Sequence, residues 1–365
     1  MTNVNDKLVL KSGIELKNRL VQSPMTVLLS FHDGIVTQEE IEHYSSRANG
    51  FGAVITGTAN VTDNGKGWSG ELTVATDDAI PQLAKLAQGI QNQGAKAILQ
   101  IFHAGRMSST KVLGEQPVSA SSFAASEQNE VPRELTNDEI LEIIEAFGQA
   151  TRRAIAAGFD GVEIHGANMY LLQQFFSPHS NRRTDDWGGN REKRYHFLDK
   201  VINRVFDEVV KFDQPFIVGY RFSPLEITNP GISFEDSLWL VEQLKTKNFD
   251  YLHLSTRQYE RKSTSENYQE KSQLAYIHEA LDGQIPLIGV GNVRNRQDIE
   301  KVLSNAELAA VGQQVLADPT FAAKIMENRD DEIVTGDLLD AMEKVEMPHP
   351  AKNFVKMLMN ARKGS

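Results

Sequence analysis

Polar side chains stand at the ends of several short apolar runs in this chain, where they could act together on a small molecule. The residues are Thr26, Gln100, His103, His165, Asn168, Arg221, His253 and Ser255. In a parallel α/β fold the carboxyl ends of the strands meet at one edge, so these side chains would line a common polar cup. A single histidine at such a position is more often a packing residue. Only the set as a whole therefore predicts a site.

The residue types argue against two other kinds of chemistry. An aldolase or an isomerase would need a Schiff-base lysine or a cluster of acidic metal ligands at the strand ends, and the runs end in neither. The chain has no cysteine, which excludes thiolate catalysis, iron–sulfur clusters and cysteine-ligated zinc. We therefore expect a site without a metal ion.

Eight apolar runs alternate with helical patterns along the chain. The runs are RLVQSPM (19–25), GAVITGTANV (52–61), AKAILQIFH (95–103), FDGVEIHG (159–166), PFIVGYRFS (215–223), FDYLHLST (249–256), IPLIGVGN (285–292) and LAAVGQQ (308–314). Several have continuous apolar cores, as strands buried on both faces of a parallel sheet do. Eight βα units close a barrel, whereas a doubly wound sheet usually has fewer strands. We predict an α/β fold, a (β/α)8 TIM barrel.

The segments between the runs carry helix start signals. Thr37–Glu40 and Thr136–Glu139 have the spacing of capping boxes, and Ser233–Asp236 opens a further helix. Beyond Thr136, apolar residues recur at helical spacing as far as Gly158. This spacing predicts a helix with one face on the sheet.

Two features should lie at opposite ends of the predicted barrel. Residues 7–17, around Ser12 and Gly13, predict a small hairpin that closes the barrel floor. The connections 104–135 and 167–190 are too long to be plain turns. Because both follow strands, we expect them on the catalytic face, where long loops are usually functional.

We predict one domain over residues 1–365, with the barrel at 19–328 and a helical tail at 329–365 that is interrupted at Met347–Pro350. The N-terminus has no signal-peptide pattern and no stretch reaches the length of a membrane span, so we expect a cytoplasmic location. The formal net charge of -11 would repel a phosphate backbone. Neither nucleic acid nor a membrane is an expected partner.

The most specific stretch runs from Glu163 to Arg194 and reads EIHGANMYLLQQFFSPHSNRRTDDWGGNREKR. It closely resembles the Old Yellow Enzyme family. Further matches are KNRLVQSPMT (17–26), LQIFHAGR (99–106), VGYRFSP (218–224), IGVGN (288–292) and AAVGQQVLADP (309–319). The short pieces are unspecific, but together the matches span nearly the whole predicted barrel in the expected order.

The resemblance implies which residues are catalytic. His165 and Asn168 match the pair that donates hydrogen bonds to the electron-withdrawing oxygen of the substrate, which makes its β-carbon electrophilic. Tyr170 matches the residue that protonates the α-carbon after hydride reaches the β-carbon. The alternative interpretation is that these three side chains cap and pack a long loop.

The resemblance also implies a bound FMN. The residues that match its site are Pro24, Met25, Thr26, Gly57, Gln100, Arg221, Gly291, Asn292, Gly312 and Gln313. Gln100 would hydrogen-bond the pyrimidine edge of the flavin, and Arg221 would stabilise the anionic reduced flavin unless it forms a surface ion pair. Glycine at position 57 would allow backbone close to the ring. The loops at Gly291 and Gly312 would hold the phosphate.

Four positions depart from the family pattern. Gln313 stands where relatives usually carry arginine, so backbone donors or another cation would have to hold the phosphate. Thr26 stands in place of a cysteine that some relatives use to tune the potential. Met169 replaces a common glycine and could narrow the substrate pocket. Arg257 replaces a small residue near the mouth, either as a ligand contact or as a solvated side chain.

The function that the resemblance implies is that of an FMN-dependent ene-reductase. Hydride would pass from NADH or NADPH to the flavin and then to an activated alkene, such as an α,β-unsaturated carbonyl compound. Larger members append an iron–sulfur site and a second nucleotide domain, but a chain without cysteine should take electrons directly from the nicotinamide. Acidic relatives often form homodimers or tetramers, which is an expectation here too. Two alternatives stay open: a flavin- or ligand-binding barrel without turnover, and a flavin reductase that serves other electron acceptors.

Overall fold

A closed ring of parallel strands alternating with helices forms the core of the protein. The computed structural model describes residues 2–345 and 352–357. The strands are β1 (Leu8–Val9), β2 (Glu15–Leu16), β3 (Leu20–Gln22), β4 (Ala53–Asn60), β5 (Leu72–Thr73), β6 (Lys96–Phe102), β7 (Val118–Ser119), β8 (Arg133–Glu134), β9 (Gly161–Gly166), β10 (Ile217–Phe222), β11 (Tyr251–Leu254), β12 (Leu287–Val290) and β13 (Leu308–Val311). The helices are α1 (Gln38–Ala48), α2 (Ile80–Gln91), α3 (Thr110–Leu113), α4 (Asn137–Ala156), α5 (Leu171–Phe176), α6 (Arg191–Val209), α7 (Phe234–Lys245), α8 (Gln273–Leu281), α9 (Arg296–Leu303), α10 (Gln313–Ala317), α11 (Phe321–Met326) and α12 (Leu338–Glu343). Residues 352–357 are also helical.

The ring runs in the order β3, β13, β12, β11, β10, β9, β6 and β4, and β5 pairs beside β4. A parallel pairing of β3 with β4 joins Val21 to Ala53 and closes the sheet. Each of the eight predicted runs contains one of these ring strands. The prediction of a (β/α)8 barrel is therefore confirmed.

The longer helices between the ring strands lie on the outside of the ring because they have one apolar face. In α4 the buried residues include Ile140, Ile143 and Phe147, which recur at helical spacing as predicted. The helix begins with the predicted capping box between Thr136 and Glu139. It ends before Gly158, whose φ of 78° is readily adopted only by glycine.

The capping box predicted at α1 is half wrong. The Thr37 hydroxyl does accept from the Glu40 backbone N–H at 3.2 Å. The Glu40 carboxylate, however, accepts from the Ser30 hydroxyl instead of reaching back to the cap. A nearby loop residue therefore competes successfully for the carboxylate, which the local sequence pattern does not reveal.

The N-terminal hairpin closes the barrel floor, as predicted. Strands β1 and β2 pair antiparallel, with Leu8 opposite Leu16. Leu16 packs in one buried cluster with Ile98 and Ile217, which come from barrel strands. Apolar side chains therefore fill the lower interior of the barrel, and the polar cup lies above them.

The two long connections are present at the carboxyl ends of their strands. The connection after β6 carries α3 and the short β7–β8 pair, and the connection after β9 carries α5. Near the C-terminus, Val355 and Leu338 pack against Val27, which follows β3. The predicted interruption at Met347–Pro350 lies outside the described residues. No helix in the described ranges is both long and apolar enough to cross a membrane.

Candidate active site

The strands place the polar side chains of the cup in register inside the barrel. Cα partners across the strands include Gln100 with Glu163, and Arg221 with both His165 and His253. Side chains alternate along a strand, so Glu163 and His165 of β9 point to the same side. That side is the interior, because the alternating residues belong to the outer core that the helices cover.

A buried carboxylate joins three of these strands. Gln100 Nε2 donates to Glu163 Oε1 at 2.6 Å, and His253 Nδ1 lies 2.9 Å from Glu163 Oε2. Burial would raise the pKa of Glu163, but His253, the Arg221 charge and the Gln100 hydrogen bond together hold it below its usual value. Burial lowers the pKa of His253. Glu163 is therefore ionised, and His253 is a neutral ring that donates through Nδ1–H.

His165 is a neutral hydrogen-bond donor. Burial, and after it the charge of Arg221, holds the pKa of His165 well below its usual value. The backbone N–H of Ala167 donates to His165 Nδ1 at 3.4 Å. A neutral imidazole that accepts at Nδ1 carries its proton at Nε2. His165 therefore presents an N–H group at Nε2.

The Asn168 amide lies beside that donor. Ser255 Oγ donates to Asn168 Oδ1 at 2.9 Å, which turns Nδ2 the other way. Asn168 Nδ2 lies 3.4 Å from His165 Nε2. With both nitrogens carrying hydrogen, the contact is a pair of neighbouring donors, so the arrangement can hold one oxygen that gains negative charge.

The backbone at this pair is held in an unfavourable conformation. Asn168 and Met169 have φ values of 57° and 66°, in the left-handed region that residues other than glycine seldom occupy. Three hydrogen bonds hold it: Asn168 N–H to Ser223 Oγ at 3.0 Å, Met169 N–H to Gln173 Oε1 at 3.0 Å, and Gln174 Nε2 to the Met169 carbonyl at 2.6 Å. Such strain costs about 1–2 kcal/mol per residue and persists where the surroundings over-determine it. Functional sites are where it concentrates.

Tyr170 stands in an aromatic cage immediately before α5. Its ring packs edge-on against His165 and Phe102, with ring centroids 5.0 Å apart in both cases. The Trp68 ring lies 6.1 Å from the Tyr170 ring, and the Phe354 ring lies 5.7 Å from that of Trp68. The phenol ring is half-buried and has a fixed direction. The predicted catalytic residues His165, Asn168 and Tyr170 are thus adjacent.

The segment after β3 lies directly against β4. A Cβ atom at Gly57 would come within 2.8 Å of the Met25 carbonyl oxygen and 3.2 Å of Thr26 Cα. The Thr26 hydroxyl lies 3.2 Å from that of Thr58. Glycine at position 57 therefore lets the Pro24–Thr26 backbone approach the strand. Its approach to a flavin ring stays a prediction.

The two predicted phosphate loops are neighbours. β12 and β13 pair Val290 with Ala310, so Gly291–Asn292 and Gly312–Gln313 follow adjacent strand ends. A Cβ atom at Gly312 would lie 3.2 Å from Met25 Sδ, which brings this loop up to the segment after β3. The ten residues matched to the FMN site therefore lie on ring strands or in the segments that directly follow them.

Two of the residues that depart from the family pattern, Arg257 and Gln313, lie at these loops. Gly291 has φ of 123°, and a Cβ atom there would meet the backbone of Arg257 and Gln258 within 3 Å. Arg257 is thus beside a phosphate loop, with an exposed side chain. Gln313 is half-buried at the start of α10. Backbone N–H groups follow two adjacent strands here and the Arg257 backbone lies beside one of the two loops, so the described residues fit a phosphorylated flavin.

His103, which was predicted to line the polar cup, has a structural role. His103 is fully buried, and its Nδ1 accepts from the Gly105 N–H at 3.0 Å while Nε2 lies 3.3 Å from Asn64 Oδ1. Burial lowers the pKa of His103 to about 3. It is a neutral packing residue that shapes the start of the long loop.

Sequence reasoning missed Glu163 and Trp68. A charged residue in the middle of an otherwise apolar strand was a usable signal for Glu163, since a buried carboxylate needs partners. Trp68 gave no such signal, because its contact with Tyr170 joins two distant loops.

Known proteins resemble this chain in family, in sequence and in solved structure. A model described as the NADH:flavin oxidoreductase / NADH oxidase family matches residues 8–332. The chain is 46% identical to the NADH:acrylate oxidoreductase of Vibrio harveyi over 89% of this chain and 33% of that protein. It is 40% identical to the probable NADH-dependent flavin oxidoreductase YqiG of Bacillus subtilis over 93% of this chain and 92% of the relative. The chain thus spans only a third of the first relative but nearly all of the second.

The solved structure of the Old Yellow Enzyme homologue from Zymomonas mobilis has the same fold. It superimposes with a TM-score of 0.80 over 96% of this chain and 99% of its own, at 23% identity. The resemblance and the prediction of an oxidoreductase that uses FMN and a nicotinamide are confirmed at the family level. Since the family model covers most of the chain and a full-length relative matches it, the chain belongs to the NADH:flavin oxidoreductase / NADH oxidase family.

Proposed function

We propose that this protein is an ene-reductase, which reduces the carbon–carbon double bond of an α,β-unsaturated carbonyl compound or a similarly activated alkene. The observation that carries the proposal is the pair of N–H donors at His165 and Asn168, 3.4 Å apart, with the Tyr170 ring 5.0 Å from the His165 ring. An oxygen held by the pair would leave the rest of the substrate within reach of the phenol.

Each residue has a distinct part in this proposal. The donors at His165 and Asn168 bind the substrate oxygen and stabilise the negative charge that develops on it. FMN bound here would supply the hydride-transfer chemistry that links NADH or NADPH to the β-carbon of the alkene. Tyr170 gives its phenolic proton to the α-carbon and regains one from solvent. The balance is one nicotinamide oxidised and one double bond reduced, with one proton consumed.

Three groups of the chain's own residues would hold the cofactor. Gln100 and Arg221 would face the ring from within the barrel, where Arg221 is 8% exposed and carries a fixed positive charge. Pro24, Met25 and Thr26 would lie along another edge. The loops Gly291–Asn292 and Gly312–Gln313 would bind the phosphate through their backbone N–H groups.

The substrate class has one further support. The Vibrio harveyi relative is named for acrylate, an α,β-unsaturated carboxylate. Polarisation of a carboxylate oxygen by two N–H donors follows the same logic as polarisation of a ketone oxygen, so acrylate belongs among the first compounds to try.

A second candidate function is transfer of electrons from the nicotinamide to an acceptor other than an alkene. It is favoured by the fact that the chain matches 33% of the acrylate-named relative. Alkene reduction in that relative could therefore belong to the remaining part. In this case Tyr170 would be a packing residue of the loop.

The experiment that separates the candidates is an anaerobic titration of the purified, FMN-loaded protein. NADH and NADPH are added separately, and the loss of flavin absorbance identifies the reductant. The reduced protein is then mixed with 2-cyclohexenone, with acrylate or with a quinone. The proposal predicts reoxidation by an alkene with formation of the saturated product. Reoxidation by the quinone alone would favour the second candidate.

A further inference from the structure

The orientation of the Gln100 side-chain amide decides whether a hydrogen-bond acceptor or a donor faces the cofactor. The two ends of a glutamine amide have the same shape but opposite character: the oxygen accepts hydrogen bonds and the NH2 group donates them. Oxidised flavin has a single N–H group on its ring, at N3. An amide that faced N3–H with its NH2 end would place donor against donor.

Glu163 removes this ambiguity. An ionised carboxylate only accepts hydrogen bonds, so Gln100 must turn its NH2 group toward Glu163, and Nε2 lies 2.6 Å from Oε1. The amide oxygen Oε1 then points away from Glu163. Hydrogen bonds to a charged acceptor are about twice as strong as neutral ones, which favours this orientation strongly.

Glu163 is itself held from the other side. His253 Nδ1 lies 2.9 Å from Oε2, so both carboxylate oxygens have a partner on a different strand. Glu163, Gln100 and His253 are each at most 1% exposed. No solvent molecule is needed to satisfy the carboxylate, and its rotation would break two hydrogen bonds together.

We propose that Glu163 is a positioning residue that fixes the Gln100 amide so that its oxygen accepts from the N3–H group of FMN. This inference rests on the cofactor role of Gln100 in the proposed function. Glu163 acts through Gln100 and contacts neither the substrate nor the reacting atoms of the flavin. The chain therefore selects a ring that carries a hydrogen-bond donor at this position.

The test uses isotope-labelled FMN and one exchange of side chains. In wild-type protein loaded with 15N-labelled FMN, the N3–H cross-peak should be visible and protected from exchange with water. Glu163→Gln lets position 163 present either amide end, so Gln100 should populate both orientations. The N3 resonance should move upfield and FMN should bind roughly tenfold more weakly.

The exchanged protein, Glu163→Gln with Gln100→Glu, distinguishes positioning from mere support. The amide introduced at position 163 can then donate to the carboxylate at position 100, whose second oxygen still accepts from N3–H. The double variant should recover most of the FMN affinity, whereas Gln100→Glu alone should lose it because two carboxylates face each other. Ile98→Val shortens a buried side chain on β6, the strand that carries Gln100, and should leave the N3 resonance unchanged.

Two results would overturn the inference. One is free exchange of the N3–H group with water in the wild-type protein. This measurement does not depend on the folding of any variant. The other is an additive cycle, in which the double variant binds FMN no better than the product of the single losses predicts. Both readouts are independent of turnover, so a protein that binds FMN through this contact but fails to reduce alkenes would contradict only the proposed function.

Discussion

The cofactor side and the substrate side of the site are built in different ways. Gln100, Glu163 and His253 lie on β6, β9 and β11 of the barrel, are fully buried, and take their positions from the register of the sheet. Asn168 and Met169 lie on a loop in left-handed backbone, where Asn168 is exposed. The first group needs the sheet alone, whereas the second needs side chains from three other places to hold it. Substitutions in the loop should therefore leave the cofactor residues in place. Substitutions in the barrel should disturb the loop more.

The largest effect should come from Tyr170→Phe, which removes one hydroxyl on the substrate side. Alkene reduction should slow by roughly 10²–10⁴, as expected for a positioned acid. The steady-state rate with 2-cyclohexenone measures it. Tyr268→Phe is a matched control, since Tyr268 lies in another aromatic cluster with Phe234, and its rate should equal that of the wild type.

The next effect should come from His165→Ala. Loss of one donor to a developing negative charge slows reactions by roughly 10²–10³, and the same donor should bind the oxygen of a phenol. The flavin absorbance change on titration with a phenol gives the affinity. Tyr170→Phe should keep phenol affinity nearer the wild-type value, so equal losses in both variants would contradict the separate roles.

A smaller effect is expected on the cofactor side from Gln313→Arg. An arginine–phosphate pair contributes roughly 1.5–3 kcal/mol to binding. Because position 313 is only half-buried, solvent screens the pair, and we expect a gain in binding free energy near the lower end of that range. FMN affinity measured by fluorescence quenching should rise about tenfold. Unchanged affinity would mean that a group such as Arg257 already serves the phosphate.

The smallest effect should come from relieving the loop, by Met169→Gly. A residue other than glycine in left-handed backbone costs about 1–2 kcal/mol, which glycine would relieve. The larger conformational entropy that glycine loses on folding offsets about 0.5–1 kcal/mol of this gain. The free energy of unfolding should therefore stay equal or rise by up to about 1.5 kcal/mol. Thr246→Gly, at an ordinary φ of −75°, should lower it. Chemical denaturation of both variants gives the comparison, and a loss at position 169 would show that the methionine side chain is needed there.

The difference between the two sides also explains what could be predicted from the sequence. The ring strands were predictable because buried parallel strands leave continuous apolar runs, and so was the hairpin at the floor. Gln100 and His165 were identified through motifs. Glu163 was not, because its partners are 63 and 90 residues away and only the barrel register brings them together. The hydrogen bond from Ser30 to the Glu40 carboxylate was unpredictable for a similar reason, because it depends on the position of a loop in the folded chain.

The central claim is that the two sides serve separate half-reactions, and stopped-flow spectroscopy of one variant from each side tests it most directly. In Tyr170→Phe, reduction of the flavin by nicotinamide should keep the wild-type rate while reoxidation by 2-cyclohexenone slows. In Arg221→Met, loss of the fixed charge should slow the reduction step itself. Slowing of the same half-reaction in both variants, or reoxidation of Tyr170→Phe at the wild-type rate, would contradict the account.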